Sequence, residues 1–175
     1  MSEASKLLIS KIGETDQAYL QENSSELALE RGKLRLELVT HSRVKSEQIH
    51  FLQEAIVILE QARVEVDEMP LSLYLALSLH LAQAYMIYFE VTGETRFALI
   101  TQQVLKPLSH YQDVDIFLML AYAAISQKEV AMTRHWLKKY ADHPSCDFNL
   151  LIEHPAWRNH HQDNWWIELV KRKSS

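Results

Sequence analysis

The sequence predicts an all-α protein built from helix-turn-helix pairs, and three observations support that fold class. Only three glycines and four prolines occur in 175 residues, so turns are few and the elements between them are long. Hydrophobic residues make up 47 % of the chain, which is enough for a buried core. The apolar segments are rich in Leu, Ala, Met and Gln, which favour helix, and no alternating β-branched segment typical of a strand occurs.

The longest apolar segment, LSLYLALSLHLAQAYMIYFE at positions 71–90, predicts a central helix that is buried by other helices. All but its last residue lack charge, as in a membrane span, but His80 and Gln83 would lose hydration in lipid and acidic residues flank the segment. Leucines at every second position also suggest a strand, yet Ile87 is the only β-branched residue in the segment. A helix that is apolar on nearly all faces has to be buried on nearly all faces.

Start and stop signals predict three helices before the central one. Ser2 is expected to cap the first helix, and the polar run 23–25 is expected to end it and to cap the second. Ser46 is expected to cap the third helix. A loop from Asp67 to Pro70 follows, and Pro70 suits the first turn of the central helix.

Four more helices are expected after the central one, which stops at Gly93. The fifth spans roughly 94–105 and ends before Pro107, because the residue that precedes a proline avoids the helical region. Asp113 is expected to open the sixth helix, and the tight turn 126–128 leads into the seventh. Short turns then lead to a final helix, which carries Trp165, Trp166, Ile167 and Val170.

Charge and cysteine content narrow the classes of function. The net charge is −5 and the basic tail at 171–173 is short, whereas a surface for nucleic acid needs clustered Lys and Arg. The basic tail instead suits the end of a last helix. Cys146 is the only cysteine, which rules out an internal disulfide and suits a reducing compartment. Because the N-terminus lacks the apolar block of a secretion signal, we expect a cytoplasmic protein. The charge argues against a nucleic-acid partner, and the polar residues and acidic flanks of the segment 71–90 argue against a membrane span.

Small residues recur at matched places in successive helix pairs. Leu81-Ala82 of the central helix matches Leu120-Ala121 of the sixth, and Gly32 and Ala55 mark an earlier pair. This pattern resembles the tetratricopeptide repeat, whose helix-turn-helix units span 34 residues. Leu81 and Leu120 lie 39 positions apart, so these helices are longer than those of a standard unit. The resemblance implies a short superhelix of stacked pairs in a single domain, 1–175, with an N-terminal helix at 1–23 and three pairs at 24–143.

The segment CDFNLLIEHPAWRNH, at positions 146–160, carries an acid-aromatic pair, then Leu151, then a Pro-x-aromatic step. It resembles the closing segment that follows many bacterial tetratricopeptide arrays, and so favours a bacterial source. A solenoid needs such a cap because its last unit leaves an apolar face uncovered. The resemblance therefore implies a C-terminal cap at 144–175, in which the covering side chains are Phe148, Leu151, Trp157 and Trp165.

The resemblance also implies a concave face that binds a peptide or protein partner. Its expected binding residues are Gln83, Met86, Ile87, Asp115 and Tyr122. Gln83 and Tyr122 could hydrogen-bond a peptide backbone, and Met86 could adapt to apolar side chains. Further expected groove positions are Ala76, Leu79, Leu118, Ile125 and Ser126, and Leu79, Leu118 and Ile125 are alternatively core residues.

Histidine and the lone cysteine concentrate near the C-terminus, where a metal site or a nucleophile is conceivable: His143, Cys146, His154, His160, His161 and Asp163. Structural zinc sites usually show a short paired ligand spacing, and none occurs here. Cys146 and His143 lack an identifiable third group to orient them, and the chain has no glycine-rich phosphate loop. No catalytic residue, metal or cofactor is therefore expected.

The main hypothesis is a non-catalytic interaction module with a scaffold or assembly role. Two alternatives are left open by the residues. One is a small, acidic, immunity-type bacterial protein that binds and neutralises a toxin domain. The other is a helical enzyme or regulator with a small-molecule pocket formed by His and Tyr. The identity of the partner and the oligomeric state are not predicted.

Overall fold

This computed structural model describes residues 2–65 and 68–174, and every regular element among them is a helix. The predicted all-α fold class is confirmed for that part of the chain. Asp67, the predicted start of a loop, lies outside it. The α-helices are α1 (Glu3–Gln21), α2 (Ser25–His41), α3 (Lys45–Glu65), α4 (Leu71–Thr92), α5 (Arg96–Leu105), α6 (Val114–Ser126), α7 (Val130–Asp142), α8 (Phe148–Glu153) and α9 (Asn164–Ser174), and 3-10 helices span Lys106–Tyr111 and Pro155–His160.

The chain divides into two compact units, Met1–Phe97 and Ala98–Ser175, and the division falls inside α5. The first unit contains α1 to α4 together with the start of α5. The second contains the rest of α5, α6 to α9 and both 3-10 helices. The division into an N-terminal helix, three stacked pairs and a cap stays a prediction.

Several helix ends lie at the capping residues predicted from the sequence. The Ser2 hydroxyl accepts a hydrogen bond from the backbone N–H of Ser5 at 3.1 Å, and Ser24 caps α2 in the same way. The Asp113 carboxylate caps α6, and Gly93 ends α4 with a φ of +74°, a left-handed conformation that favours glycine. Ser46 does not cap the third helix, because α3 already begins at Lys45.

The first unit is built by packing of successive helices against one another. α2 packs against α1, α3 and α4, and α3 packs against α4. Gly32 of α2 faces Leu59 of α3 so closely that a Cβ at Gly32 would lie 2.6 Å from a Leu59 methyl carbon. The small residue therefore sets the distance between α2 and α3. Large side chains buried in this unit include Leu34, Leu36, Leu52, Ile56, Leu59, Leu77 and Leu81.

A buried arginine joins the first three helices. Arg35 of α2 is 5 % exposed, and its guanidinium lies 2.9 Å from Asp16 of α1 and 2.9 Å from Glu54 of α3. Arg31 adds a second contact to Asp16 at 2.8 Å. Partial burial acts to raise the pKa of Asp16, but the hydrogen bonds and charges of Arg35 and Arg31 outweigh it and lower that pKa. The sequence patterns did not indicate this ion-pair network.

α4 is the long apolar helix predicted at the centre of the chain. Four of its 22 residues are exposed, and α2 and α3 pack against it within the unit. Arg63 of α3 donates hydrogen bonds of 3.0 Å to the hydroxyls of Ser78 and Tyr74. His80 is half-buried, and its Nδ1 lies 2.8 Å from the Ala76 carbonyl oxygen. By length and composition alone α4 could also cross a membrane, which is weak evidence because core helices meet the same criteria.

In the second unit, α6 and α7 pack together, and the C-terminal segment packs on them. The 3-10 helix Pro155–His160 contacts α6, and α9 contacts α7. Leu151 and Trp157 are fully buried, as expected for covering side chains, and the Trp157 indole N–H donates to the Leu151 carbonyl at 2.7 Å. Phe148 and Trp165 are only half-buried. The buried aromatic residue of α9 is instead Trp166, which is 4 % exposed.

Candidate functional site

Three of the predicted binding residues lie on α4 in the first unit. Gln83 is exposed. Ile87 is half-buried. Met86 is 2 % exposed and is among the largest fully buried side chains, so it belongs to the core and offers no surface to a ligand. The interpretation of Met86 as an adaptable groove residue is corrected by this burial.

The other two predicted residues lie on α6 in the second unit. Asp115 is exposed in the first turn; loss of hydration around its carboxylate and the nearby Asp113 raise its pKa, against an opposing effect of His143. Tyr122 is half-buried, and its ring meets the edge of the His154 ring at a centroid distance of 4.8 Å. Because the five residues are divided between two units, their common groove stays a prediction.

The further groove positions are all half-buried, including the three for which a core role is the alternative: Ala76, Leu79, Leu118, Ile125 and Ser126. Their burial therefore favours neither interpretation. His154 stacks on the buried Trp157 ring at 4.4 Å, and burial lowers the pKa of His154. The Tyr122 ring therefore packs against the neutral His154 imidazole, which in turn stacks on the Trp157 ring.

A cleft with a volume of about 450 Å³ lies between α7 and α9 in the second unit. Each helix contributes side chains at positions i, i+3, i+4 and i+7, which lie along one face of an α-helix. Most of these side chains are exposed, so the cleft is open to solvent. Its lining residues are Ala131, Arg134, His135 and Lys138 from α7, and Trp165, Glu168, Leu169 and Arg172 from α9.

Hydrogen bonds and ring contacts hold the Trp165 side chain in place at the start of α9. Its indole N–H donates to the Asp163 carboxylate at 3.2 Å, and His160 contacts the same carboxylate oxygen at 2.7 Å. The buried Trp166 ring stands nearly perpendicular to it, with centroids 6.1 Å apart. His161 in turn stacks on Trp166 at 4.5 Å. A ring fixed in this way presents a rigid apolar surface to the cleft.

The walls of the cleft are mainly basic, although the chain as a whole is acidic. Arg134, Lys138 and Arg172 carry positive charge, and Glu168 carries the one opposing carboxylate among the lining residues. The Arg172 guanidinium also lies 3.0 Å from the Asp142 carboxylate, in a pair that is about half exposed on both sides. Such an exposed pair contributes little to stability.

The cleft was missed in the sequence because its two halves lie about 30 residues apart. The sequence predicts Arg172 only as part of the basic end of a last helix, because that pattern is read from α9 without its neighbour α7. The signal that could have found the cleft is the matched spacing of positions 131, 134, 135 and 138 with positions 165, 168, 169 and 172. Only the packing of α9 against α7 brings the two patterns together.

The histidines and the cysteine near the C-terminus are held by other contacts in the described part of the chain. Among the described residues, no group of three His, Cys, Asp or Glu side chains is placed to hold a metal ion. Both ring nitrogens of His143 are engaged, Nδ1 by the Ser145 N–H at 3.0 Å and Nε2 by the Gln112 carbonyl at 2.9 Å. Burial raises the pKa of the Cys146 thiol, Lys173 opposes that rise, and the Asp147 carboxylate adds a smaller increase. A protonated thiol beside an engaged imidazole is a poor nucleophile.

No protein-family model, curated protein or solved structure matches this chain. The fold and the site define its class, an all-α protein with an open, basic cleft in its second unit. Any function therefore has to be inferred from the contacts, charges and burial of its own residues.

Proposed function

We propose that this chain is a non-catalytic interaction module, related to tetratricopeptide-repeat proteins, that binds a polypeptide partner in a scaffold or assembly role. The observation that carries the proposal is the cleft between α7 and α9. It combines a fixed aromatic ring, an aliphatic side chain and exposed charged groups along two helix faces. This is the composition of surfaces that recognise polypeptides, where Trp and Arg provide much of the binding energy.

The shape of the cleft favours a polypeptide over a small substrate. Sites for small molecules bury most of their ligand and use a few fixed polar groups. Here Arg134, His135 and Lys138 are exposed on α7 and can follow the surface of a longer ligand. The fixed Trp165 ring loses little conformational entropy on binding, which favours its use as an anchor point.

Helix packing in the first unit supports the repeat-like part of the proposal. α4 contacts both members of the preceding pair, α2 and α3, as expected when the first helix of one unit covers the pair before it. Gly32 provides the close approach within that pair. In this proposal Gln83 and Ile87 add binding contacts on α4 of the first unit, and Asp115 and Tyr122 add binding contacts on α6 of the second.

The proposal is tested with full-length tagged protein and two tryptophan variants of α7. Ala131→Trp fills the cleft, and Val130→Trp adds the same side chain at the neighbouring exposed position, outside the cleft lining. Proteins captured by the wild type are identified by mass spectrometry, purified and measured by titration calorimetry. We expect a purified polypeptide to bind the wild type and Val130→Trp equally and Ala131→Trp much more weakly.

The possible outcomes separate the candidate functions. A polypeptide that binds Ala131→Trp as tightly as the wild type removes the cleft as support for the proposal. A single toxin domain bound in equimolar amount, with its activity blocked, favours the immunity-type alternative. A co-purifying metabolite without any polypeptide that binds on titration argues for the small-molecule alternative and against the proposal.

A further inference from the structure

We propose that the α7–α9 cleft binds an acidic polypeptide segment that carries one large apolar side chain; this inference rests on the proposed function and specifies its ligand. Two features of the cleft lead to it. Three cationic side chains oppose one carboxylate, and they border an apolar surface made by Trp165 and Leu169. The two features would match a carboxylate-rich segment with a single apolar anchor.

The cations are arranged along the helices rather than gathered at one point. Arg134 and Lys138 are four positions apart on α7, so their side chains lie about one helical turn, roughly 5.4 Å, from each other. Arg172 contributes from α9 on the other wall. A row of separate cations suits carboxylates spaced along a peptide, whereas a single phosphate group would need convergent donors.

The apolar part of the cleft is where the large apolar side chain of the ligand would bind. Leu169 is half-buried one turn after Trp165, and Ala131 on α7 leaves open space opposite them. The volume of about 450 Å³ lies in the lower part of the range for ligand sites, so it suits one large side chain with its flanking backbone. Burying such a side chain supplies most of the affinity, and the charges supply selectivity.

A nucleic-acid ligand fits the same surface less well. Binding to a phosphate backbone depends on many cations, and Glu168 would repel it within the cleft. The net charge of −5 adds an unfavourable long-range field. An acidic peptide meets the same repulsion, but it gains more from the apolar anchor because its side chain can enter the cleft.

The test uses a random twelve-residue peptide library displayed on phage, selected on the full chain and on two charge-reversed variants. Arg134→Glu with Lys138→Glu reverses the α7 wall of the cleft. Lys106→Glu with Arg158→Glu makes the same charge change at exposed positions of the same unit that do not line the cleft. Selected peptides are synthesised with a fluorescent label and their binding is measured by polarisation, with circular dichroism as a check on folding.

We expect the wild type and the control variant to select peptides rich in Asp and Glu around Trp, Phe or Leu. Binding of these peptides to the cleft variant should be roughly tenfold weaker or worse, because like charges then face each other. Raising the salt concentration should weaken wild-type binding, and Ala131→Trp should abolish it.

The failure of this inference is distinguishable from the failure of the proposed function. Peptides that Ala131→Trp blocks but that show no acidic preference, or that bind both charge variants equally, overturn the inference and leave a polypeptide-binding cleft. Labelled single-stranded oligonucleotides that bind the cleft more tightly than any selected peptide overturn it in favour of nucleic acid. A wild type that selects no peptide at all, beside a matched positive-control domain, counts against both.

Discussion

Replacing Gly32 by alanine tests the close approach of α2 and α3 directly. A Cβ at this position would lie 2.6 Å from Leu59 Cδ2 and 2.8 Å from Leu59 Cγ. Carbon atoms in contact are normally about 3.5–4.0 Å apart, so the Leu59 side chain would have to move by about 1 Å. Leu59 is 0 % exposed, and its Cγ lies near the backbone, so no open space is available for that movement.

Two opposing terms set the expected size of the effect. Alanine is favoured over glycine in a helix interior by about 1 kcal/mol. Forcing extra volume into a packed core costs about 1–3 kcal/mol. The free energy of unfolding should therefore fall by up to about 2 kcal/mol in Gly32→Ala, despite the gain in helix propensity.

Gly13→Ala is the matched control, because Gly13 lies in the interior of α1 with no heavy atom within 4 Å of the added Cβ. That variant should gain most of the helix term, about 1 kcal/mol, without any core overlap. Both are measured by urea unfolding followed by circular dichroism. The two glycine-to-alanine changes should differ by about 1–3 kcal/mol, which is the cost of overlap alone.

A double-mutant cycle identifies Leu59 as the cause. Leu59→Ala alone should cost about 2–5 kcal/mol by leaving a cavity. In that background Gly32→Ala should become stabilising, because the obstructing methyl groups are gone and part of the cavity is filled. If Gly32→Ala stabilises the protein as much as Gly13→Ala does, or if the two changes are additive, the close contact between α2 and α3 is wrong.

Three further predictions concern other parts of the chain. Gly93→Ala should lower the free energy of unfolding by about 1 kcal/mol, since φ is +74° at the end of α4; urea unfolding that shows no loss would contradict the left-handed cap. Arg35 holds the pKa of Asp16 below the value that Asp16 has in the unfolded chain. The ion pair therefore stabilises the fold fully at a pH above the unfolded pKa, and this stabilisation is lost as the pH falls through the lowered pKa. The free energy of unfolding should decrease when the pH is lowered below about 4, and it should decrease less in Asp16→Asn. Tyr122→Ala should lower the unfolding free energy by about 1–2 kcal/mol through the lost contact with the His154 ring; an unchanged melting temperature with weakened partner binding would instead favour an exposed groove residue.

The predicted binding residues on α4 show where sequence reasoning stops. Gln83 is exposed, and its role in binding stays a prediction. Met86 was expected on the same face, but a shift of three positions rotates a helical residue by about 60° away, which is enough to turn it into the core. On a helix without a polar face, no charged residue marks where the surface begins, so the pattern cannot separate the two.

The order of the helices was determined by the sequence itself. Capping residues such as Ser2, Ser24 and Asp113 act on neighbouring backbone N–H groups, and Gly93 acts through its own φ angle, so their effects are readable locally. The all-α class follows in the same way, from propensities and periods that need no knowledge of distant residues.

The tertiary structure decided which surfaces are buried and which side chains meet. Arg35 joins Asp16 and Glu54, and Trp165 faces the basic wall of α7, across separations in sequence that no local pattern spans. Trp166 rather than Trp165 is buried because adjacent residues on a helix point about 100° apart, and the packing of α9 on α7 selects one of them. Packing depends on two helix faces at once. The local sequence pattern indicates which face of a helix is apolar, but it does not indicate which other helix that face contacts.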